Sequence, residues 1–227
     1  MKIGILQTGH APDEMIEESG DIAPYFERML ADMGFTFTTF DVVDMEFPAA
    51  IDECDGWLIT GSKHGAYEDH AFIGPLETFI RDVYAADIPL VGICFGHQII
   101  AQALGGKVEK FSGGWAIGRT EYDWNGEKVA LNAWHQDQVV SLPEDAEVYA
   151  SNAFCENAAL VYGNRVFTTQ PHPEYGDDFI GGLIDHRGKG VIPDAQLAQA
   201  SADLEKPVDN PRIAQQIARF FKERDVA

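Results

Sequence analysis

The first hundred residues alternate short apolar runs with amphipathic stretches. The run at Lys2–Gln7 predicts a short buried strand, and the polar, acidic stretch after it predicts a loop. Beyond that loop the same two patterns predict, in order, a helix at Asp21–Met33 that stops at Gly34, strands at Phe35–Phe40 and Gly56–Thr60, a helix at Ile73–Ala86 and a strand at Pro89–Ile93. This alternation predicts an α/β fold, with a parallel sheet covered by helices on both faces.

The pattern changes after Gly105. Short β-like runs follow one another between turn residues, and they are predicted as strands at Thr120–Trp124, Lys128–Leu131, Val148–Ser151, Ala159–Tyr162 and Arg165–Thr169. Helices are expected at Asp177–His186, Asp194–Leu204 and Pro211–Arg224. The last of these carries an apolar stripe of Ile213, Ile217, Phe220 and Phe221. Such a stripe favours docking on the domain's own sheet, and contact with a second copy in a homodimer is the alternative.

The composition and charge of the chain limit the kinds of molecule that we expect it to bind. The chain of 227 residues is long enough for one α/β domain and too short for two large ones. Its 16 basic and 37 acidic residues give a net charge of −21, a field that repels phosphate backbones and argues against a nucleic-acid partner. The sequence has no apolar run that approaches the ~20 residues needed to span a membrane, and it has no signal-peptide pattern. We therefore expect no membrane partner and a cytoplasmic location.

The chain contains three cysteines, Cys54, Cys94 and Cys155. Their odd number and the lack of a CxxC pair argue against a disulfide framework and a metal site, and Cys54 and Cys155 are expected to be small buried thiols. Cys94 differs, because glycines stand two residues before and after it where a strand gives way to a helix. That spacing predicts a nucleophile elbow, with the sulfur exposed at the helix N-terminus, where the dipole favours thiolate. Taken alone, the pattern equally fits a buried cysteine at a strand end.

A second cluster of reactive residues follows the strand that is predicted to end near Gln170. His172 and Glu174 lie between and after two prolines that favour an extended chain, in which residues two apart point to the same side. A carboxylate beside an imidazole stabilises its charged form and fixes its orientation. We therefore predict that His172 is a base, that Glu174 orients it, and that Cys94 is the nucleophile from which the base takes a proton.

At these residues the sequence resembles the class I glutamine amidotransferase family. The family's G-x-C-x-G-x-Q motif is matched at Gly92, Cys94, Gly96 and Gln98, and its H-P-E motif at His172, Pro173 and Glu174. The resemblance covers about residues 1–186 of a single domain at 1–227, leaving 187–227 as a helical extension. It implies a flavodoxin-like, mostly parallel sheet flanked by helices, with a smaller antiparallel β portion. It also implies that Cys94 is the nucleophile, His172 the general acid and base, and Glu174 its orienting residue.

Further site residues come from the same resemblance. The segment Thr60-Gly61-Ser62 resembles the family's oxyanion loop, which implies backbone donors at Gly61 or Ser62 together with Phe95. Ser62 and Lys63 replace a glycine and a proline of the family pattern, and a main-chain donor survives such changes. The segment Trp134–Asp137, expected to be a loop, implies substrate contacts from His135, Gln136 and Asp137, and Gln98 is the matching substrate-side glutamine.

Several motifs, among them Thr60-Gly61-Ser62 and His135-Gln136-Asp137, are most similar to the γ-glutamyl peptidase-like branch. The resemblance implies hydrolysis of a small γ-glutamyl amide through a thioester, with no cofactor. The alternative is a glutaminase subunit that delivers ammonia to a separate synthetase subunit. Two further hypotheses are a non-catalytic glutamine-binding regulatory module and a different cysteine hydrolase on a flavodoxin-like sheet.

Overall fold

Strands and helices follow one another throughout the part of the chain that the computed structural model describes, residues 1–226. The strands are β1 Lys2–Leu6, β2 Thr36–Phe40, β3 Gly56–Ile59, β4 Leu90–Ile93, β5 Lys107–Lys110, β6 Ala116–Trp124, β7 Glu127–His135, β8 Asp137–Ser141, β9 Glu147–Ser151, β10 Ala159–Tyr162 and β11 Val166–Thr169. The helices are α1 Asp13–Ser19, α2 Ile22–Met29, α3 Ile73–Ala85, α4 Phe95–Ala103, α5 Asp177–Leu183, α6 Asp194–Ala202 and α7 Asn210–Glu223. A 3₁₀ turn occupies Val42–Asp44, and a π-helical turn occupies Ile184–Gly188.

One large sheet has the strand order β2-β1-β3-β4-β11-β10-β9-β6-β7. The first five strands pair in parallel, in a flavodoxin-like order in which β11 takes the place of the fifth strand. The remaining four continue the same sheet in antiparallel pairing, while β5 and β8 form a small antiparallel sheet of their own. The expected parallel sheet with an antiparallel β portion is confirmed, and most of that portion extends the main sheet.

The parallel strands are buried on both faces because successive side chains of a strand point in opposite directions. In β1, Ile3 and Ile5 enter one hydrophobic cluster, whereas Leu6 enters the other. In β3, Leu58 and Ile59 divide in the same way. Each strand of the parallel half therefore contributes to two cores at once, which explains why its sequence is a continuous apolar run.

Helices cover both cores. Buried residues of α3 and α4 complete one cluster, and those of α2, α5 and α7 complete the other. The predicted stripe of α7 packs on the sheet, where the ring of Phe220 lies 6.1 Å from that of Phe167 in β11. Contact of this stripe with a second copy in a homodimer stays a prediction. No helix within residues 1–226 is both long and apolar enough to cross a bilayer.

Several elements differ from the sequence-based predictions. The acidic stretch expected to be a loop contains α1, whose first turn holds Asp13 and Glu14, where negative charge suits the helix dipole. The buried Met15 fixes this helix, since its thioether packs against Gly182 of α5. The helix expected at Asp21–Met33 ends earlier, and the helix expected to reach His186 gives way to the π-helical turn after α5.

The antiparallel region differs more. The strands β5 and β8 were not predicted, and β6 and β7 are longer than expected because each pairs along its whole length with the other. The segment Trp134–Asp137 is therefore not a loop, since Trp134 and His135 end β7 and Asp137 begins β8.

The packing of α7 generates a stability prediction. Replacing Ile217 by Ala should lower the free energy of unfolding by about 2–5 kcal/mol, because the fully buried side chain leaves a cavity against the sheet. Urea denaturation followed by circular dichroism measures the change. Arg219→Ala on the exposed face of the same helix is the matched control and should cost less than about 0.5 kcal/mol. Equal effects of the two substitutions would contradict the docking of α7.

Candidate active site

The predicted site residues collect at the carboxyl edge of the parallel strands. Thr8 follows β1, Thr60–Ser62 follows β3, Cys94 follows β4, and His172 follows β11. In open α/β sheets this edge is where ligands bind, since loops from neighbouring strands meet there. A cleft of about 520 Å³ opens at this edge, and it is lined by Gly61, Ser62, Cys94 and His172 among others.

Cys94 occupies a sharp bend between β4 and α4. Its backbone has φ 52° and ψ −101°, a conformation that residues other than glycine rarely adopt. A methyl group on Gly96 would lie 2.3 Å from the carbonyl oxygen of Ile59, and one on Gly92 would lie 2.6 Å from the backbone of Gly96. Both glycines are thus required by close packing of the helix on the sheet. The predicted elbow is confirmed as a backbone geometry.

The exposure of Cys94 differs from the prediction. The residue is only 6% exposed, because α4 and the loops after β3 and β11 enclose it, although it still lines the cleft. It is also the N-cap of α4, so its side chain lies at the positive end of the helix dipole, as expected. Cys54 and Cys155 are buried free thiols, which confirms their predicted state.

His172 and Glu174 form a buried pair. The imidazole Nδ1 lies 2.6 Å from Glu174 Oε1, and the His172 amide donates to the carbonyl of Asn132 at 2.8 Å. Gly61 lies beside both reactive groups: a methyl group at Gly61 would be 3.0 Å from His172 Cε1 and 3.6 Å from Cys94 Cβ. The sulfur of Cys94 is close enough to this imidazole to raise its pKa. The structure therefore brings the sulfur and the imidazole together across one cleft.

Charge and burial act in opposite directions on His172. Burial alone lowers the pKa of its imidazole, but the adjacent carboxylate of Glu174 and the sulfur of Cys94 outweigh burial and raise that pKa above the usual value. A raised pKa means that the site favours the imidazolium form of His172 beside the sulfur. This is the electrostatic arrangement in which a thiolate is stabilised by a protonated histidine.

An aromatic stack, which the sequence reasoning missed, holds the imidazole from one face. The ring of Tyr175 is 3.9 Å from that of His172 at an interplanar angle of 7°, and Phe179 stacks on Tyr175 at 4.0 Å. Tyr175 directly follows Glu174 in the chain. An aromatic residue next to the histidine motif was the signal that could have revealed the stack.

The loop after β3 has its peptide orientation fixed by two hydroxyls. Thr8 Oγ1 and Thr60 Oγ1 both donate to the Gly61 carbonyl, at 3.1 and 3.0 Å. Because the carbonyl and amide of a trans peptide point in opposite directions, the Ser62 amide points away from these hydroxyls. The Ser62 hydroxyl donates to the Thr8 carbonyl at 2.6 Å, so it holds the loop in place. Phe95 begins α4, and its amide has no acceptor within the helix.

The four predicted substrate residues all line the cleft, but several of their polar groups are already used. Gln98 Nε2 donates to the Asp137 carbonyl at 2.9 Å and to Gln170 Oε1 at 3.0 Å, which points to a positioning role. His135 Nδ1 lies 3.2 Å from the Asp137 carbonyl, and Gln136 Nε2 donates to Phe111 at 3.3 Å. Burial, followed by the charge of His172, lowers the pKa of His135 to about 3, so this imidazole is neutral.

The Asp137 carboxylate faces the cleft beside the hydroxyl of Tyr67. Burial raises the pKa of Asp137, and the hydrogen bond from Tyr67 and the charge of Lys110 oppose that change. The sequence reasoning recognised Ala66-Tyr67 as similar to the γ-glutamyl peptidase-like branch but gave Tyr67 no role, and it missed Lys110 and Arg187, which also line the cleft. Lys110 and Arg187 belong to none of the motifs that were recognised.

Comparison with known proteins identifies the family of this chain. The model of the family "Glutamine amidotransferase class-I" matches residues 22–178. Gamma-glutamyl peptidase 4 of Arabidopsis thaliana is 32% identical over 88% of this chain and 86% of its own length. The chain belongs to the class I glutamine amidotransferase family.

Other members of this family align differently. GMP synthase of Staphylococcus aureus is 30% identical over 60% of this chain but only 29% of its own length. The crystal structure of a glutamine amidotransferase from Methylobacillus flagellatus superposes with a TM-score of 0.78, covering 98% of this chain and 93% of that one at 22% identity. The amidotransferase fold that the motifs implied is therefore confirmed over nearly the whole chain.

The buried pair generates a prediction for this amidotransferase-like site. The substitution Glu174→Gln keeps the shape of the side chain but removes its charge, so burial should then lower the pKa of His172. A pH titration of isotope-labelled histidine by NMR measures the shift. Glu205→Gln, at an exposed position, should leave the His172 titration unchanged. An unaltered His172 pKa in Glu174→Gln would show that the carboxylate does not control the imidazole.

Proposed function

We propose that this chain hydrolyses γ-glutamyl amides through a γ-glutamyl thioester on Cys94, with His172 and Glu174 completing a catalytic triad. The observation that carries the proposal is the meeting of the elbow sulfur with a buried, carboxylate-paired imidazole in one cleft. A nucleophile, a base within hydrogen-bond reach and a group orienting that base are the parts that covalent acyl transfer requires.

The reaction begins with a thiolate–imidazolium pair. The Cys94 sulfur adds to the γ-carbonyl carbon, and the carbonyl oxygen becomes an oxyanion that accepts from the amides of Ser62 and Phe95. As the carbon–nitrogen bond breaks, His172 gives its proton to the leaving nitrogen. Water then loses a proton to neutral His172 and attacks the thioester. The carbon–sulfur bond breaks, glutamate leaves, and the starting ion pair is restored.

Ser62 and Phe95 suit the oxyanion role for separate reasons. The Gly61–Ser62 peptide is held by two threonine hydroxyls on its carbonyl side, so its amide is oriented before substrate arrives. The Phe95 amide lies in the first turn of a helix, where unpaired donors and the helix dipole favour negative charge. Donors of this kind are worth about 3–4 kcal/mol of barrier each. Gly61 contributes its freedom from a side chain, which allows His172 to approach.

The cleft suits a γ-glutamyl group, which carries both an ammonium and a carboxylate. Asp137 and Glu68 supply negative charge, while Lys110 and Arg187 supply positive charge. Apolar residues of the C-terminal extension, among them Ile192, line the same cleft. The space and the apolar surface exceed what the ammonia of glutamine needs as a leaving group, which favours a substituted amide or a peptide.

The alignments favour hydrolysis without a synthetase. The γ-glutamyl peptidase of Arabidopsis thaliana aligns over most of its own length, whereas the GMP synthase aligns over less than a third of its length. The similarity to GMP synthase supports the second candidate, a glutaminase subunit that passes ammonia to a separate synthetase. We infer that residues 1–227 form one domain, in which the extension 187–227 contributes to the cleft; Ala227 lies outside the described residues.

The nucleophile is tested by substitution. Cys94→Ala should reduce glutamate release by about 10³-fold or more, because neither water nor the remaining groups replace a covalent nucleophile. Rapid quenching of the parent protein with substrate, followed by mass spectrometry, should find one glutamyl group attached to the peptide that contains Cys94. The matched control is Cys54→Ala, which removes another buried thiol and should retain turnover. Unchanged turnover in Cys94→Ala would show that another group carries the reaction, and no turnover in the parent protein would leave only a binding module.

The leaving group is tested with a substrate panel. Glutamine, γ-glutamyl amines and γ-glutamyl dipeptides are compared under reducing conditions, and glutamate release by the isolated chain is measured. We expect the dipeptides to have the highest kcat/KM, since the cleft extends beyond the reacting carbon. Negligible turnover of the whole panel, restored with glutamine when a synthetase is added, would instead establish the glutaminase subunit.

A further inference from the structure

The loop between β3 and α3 carries a cluster of potential metal ligands, of which the proposed hydrolysis uses only the negative charge of Glu68. His70 Nε2 lies 2.8 Å from Glu68 Oε2, and His64 Nδ1 lies 3.9 Å from the same oxygen. The three ligand atoms all fall within 4.8 Å of one another. Two imidazoles and a carboxylate are thus directed at a common point.

The surrounding contacts hold these side chains in place. The Gly65 amide donates to Glu68 Oε2 at 3.0 Å, and the His64 amide donates to Ser62 Oγ at 3.1 Å. The two imidazole rings are 4.1 Å apart, and the ring of His70 stacks on Phe72 with an interplanar angle of 17°. The side chains of His64, Glu68 and His70 remain 20%, 46% and 36% exposed, so an ion can reach them from solvent.

We propose that His64, Glu68 and His70 bind a divalent transition-metal ion of the zinc class at the mouth of the cleft. Bonds of about 2.1 Å in a tetrahedral arrangement place ligand atoms about 3.4 Å apart. The observed 2.8 and 3.9 Å lie on either side of that value, and the three side chains are partly exposed, so they can move to close the site around an ion. The ion replaces the proton shared by His70 and Glu68.

The ligand chemistry selects the class of ion. Imidazole nitrogens suit zinc and its neighbours among the divalent transition metals, whereas calcium and magnesium prefer sites built from oxygen. The charge of the whole chain, −21, attracts cations, although Lys63 and Arg187 near His64 act against it locally. His64 and Glu68 also line the cleft, so an ion with three protein ligands keeps a coordination position directed at entering molecules.

The test uses the full-length, tag-free chain carrying Cys94→Ala, so that the reactive sulfur cannot bind the added metal. Titration calorimetry with ZnCl₂ should show one ion per chain, and calcium should bind far more weakly. In this background His70→Gln and Glu68→Gln should each weaken zinc binding by about tenfold or more. The matched control is His186→Gln, which removes an exposed histidine from the π-helical turn and should leave zinc affinity unchanged.

A second readout separates ligand loss from misfolding. Cobalt(II) should give ligand-field absorption bands in the Cys94→Ala chain and lose them in the His70→Gln variant, while near-ultraviolet circular dichroism without metal stays the same. The proposal is wrong if zinc does not bind stoichiometrically, or if the His70 and Glu68 variants match the His186 control. Zinc binding is measured without turnover. A failure to bind zinc therefore does not contradict the proposed hydrolysis, and a failure of the hydrolysis tests does not contradict the zinc site.

Discussion

The close approach of α4 to the end of β3 is the constraint on which the rest of the site depends. With no side chain at Gly96, its amide donates to the Thr60 carbonyl at 3.1 Å, and the helix lies directly on the strand. This contact forces Cys94 into its positive φ and places its side chain next to Gly61. A larger residue at position 96 would push the helix outward and separate the sulfur from the oxyanion loop, the imidazole or both.

Electrostatics then operates within this fixed geometry. Burying an imidazole and a carboxylate together costs desolvation energy, which their contact at 2.6 Å offsets only while both partners remain. The ring is also held by stacking on Tyr175, so it cannot swing toward solvent to recover hydration. The raised pKa of His172 favours its charged form in a nearly dry place, where the field of that charge acts strongly on the neighbouring sulfur.

The sequence predicted the features that rest on local rules. The parallel strands are continuous apolar runs, and the elbow and the histidine motif lie at strand ends, so their residues could be placed on one edge of the sheet. The paths of β6 and β7 could not be predicted in full, because their ends are strands only through pairing with each other. Arg187 and the cluster at His64 were missed for a similar reason. Distant or irregular segments bring those side chains to the cleft, and no periodic pattern encodes that meeting.

The pairing of β4 with β11 has a consequence for biosynthesis. Ile93 and Thr169 are neighbours in register, yet all four antiparallel strands of the large sheet lie between them in the chain. A chain emerging from the ribosome thus presents its cysteine long before the strand that delivers the imidazole exists, and non-local pairing of this kind is slow to form. Until that last parallel strand is inserted, the thiol lacks its cationic neighbour. Under the proposed mechanism the sulfur acts only with its imidazole partner, so an unfinished chain does not attack amides before folding is complete.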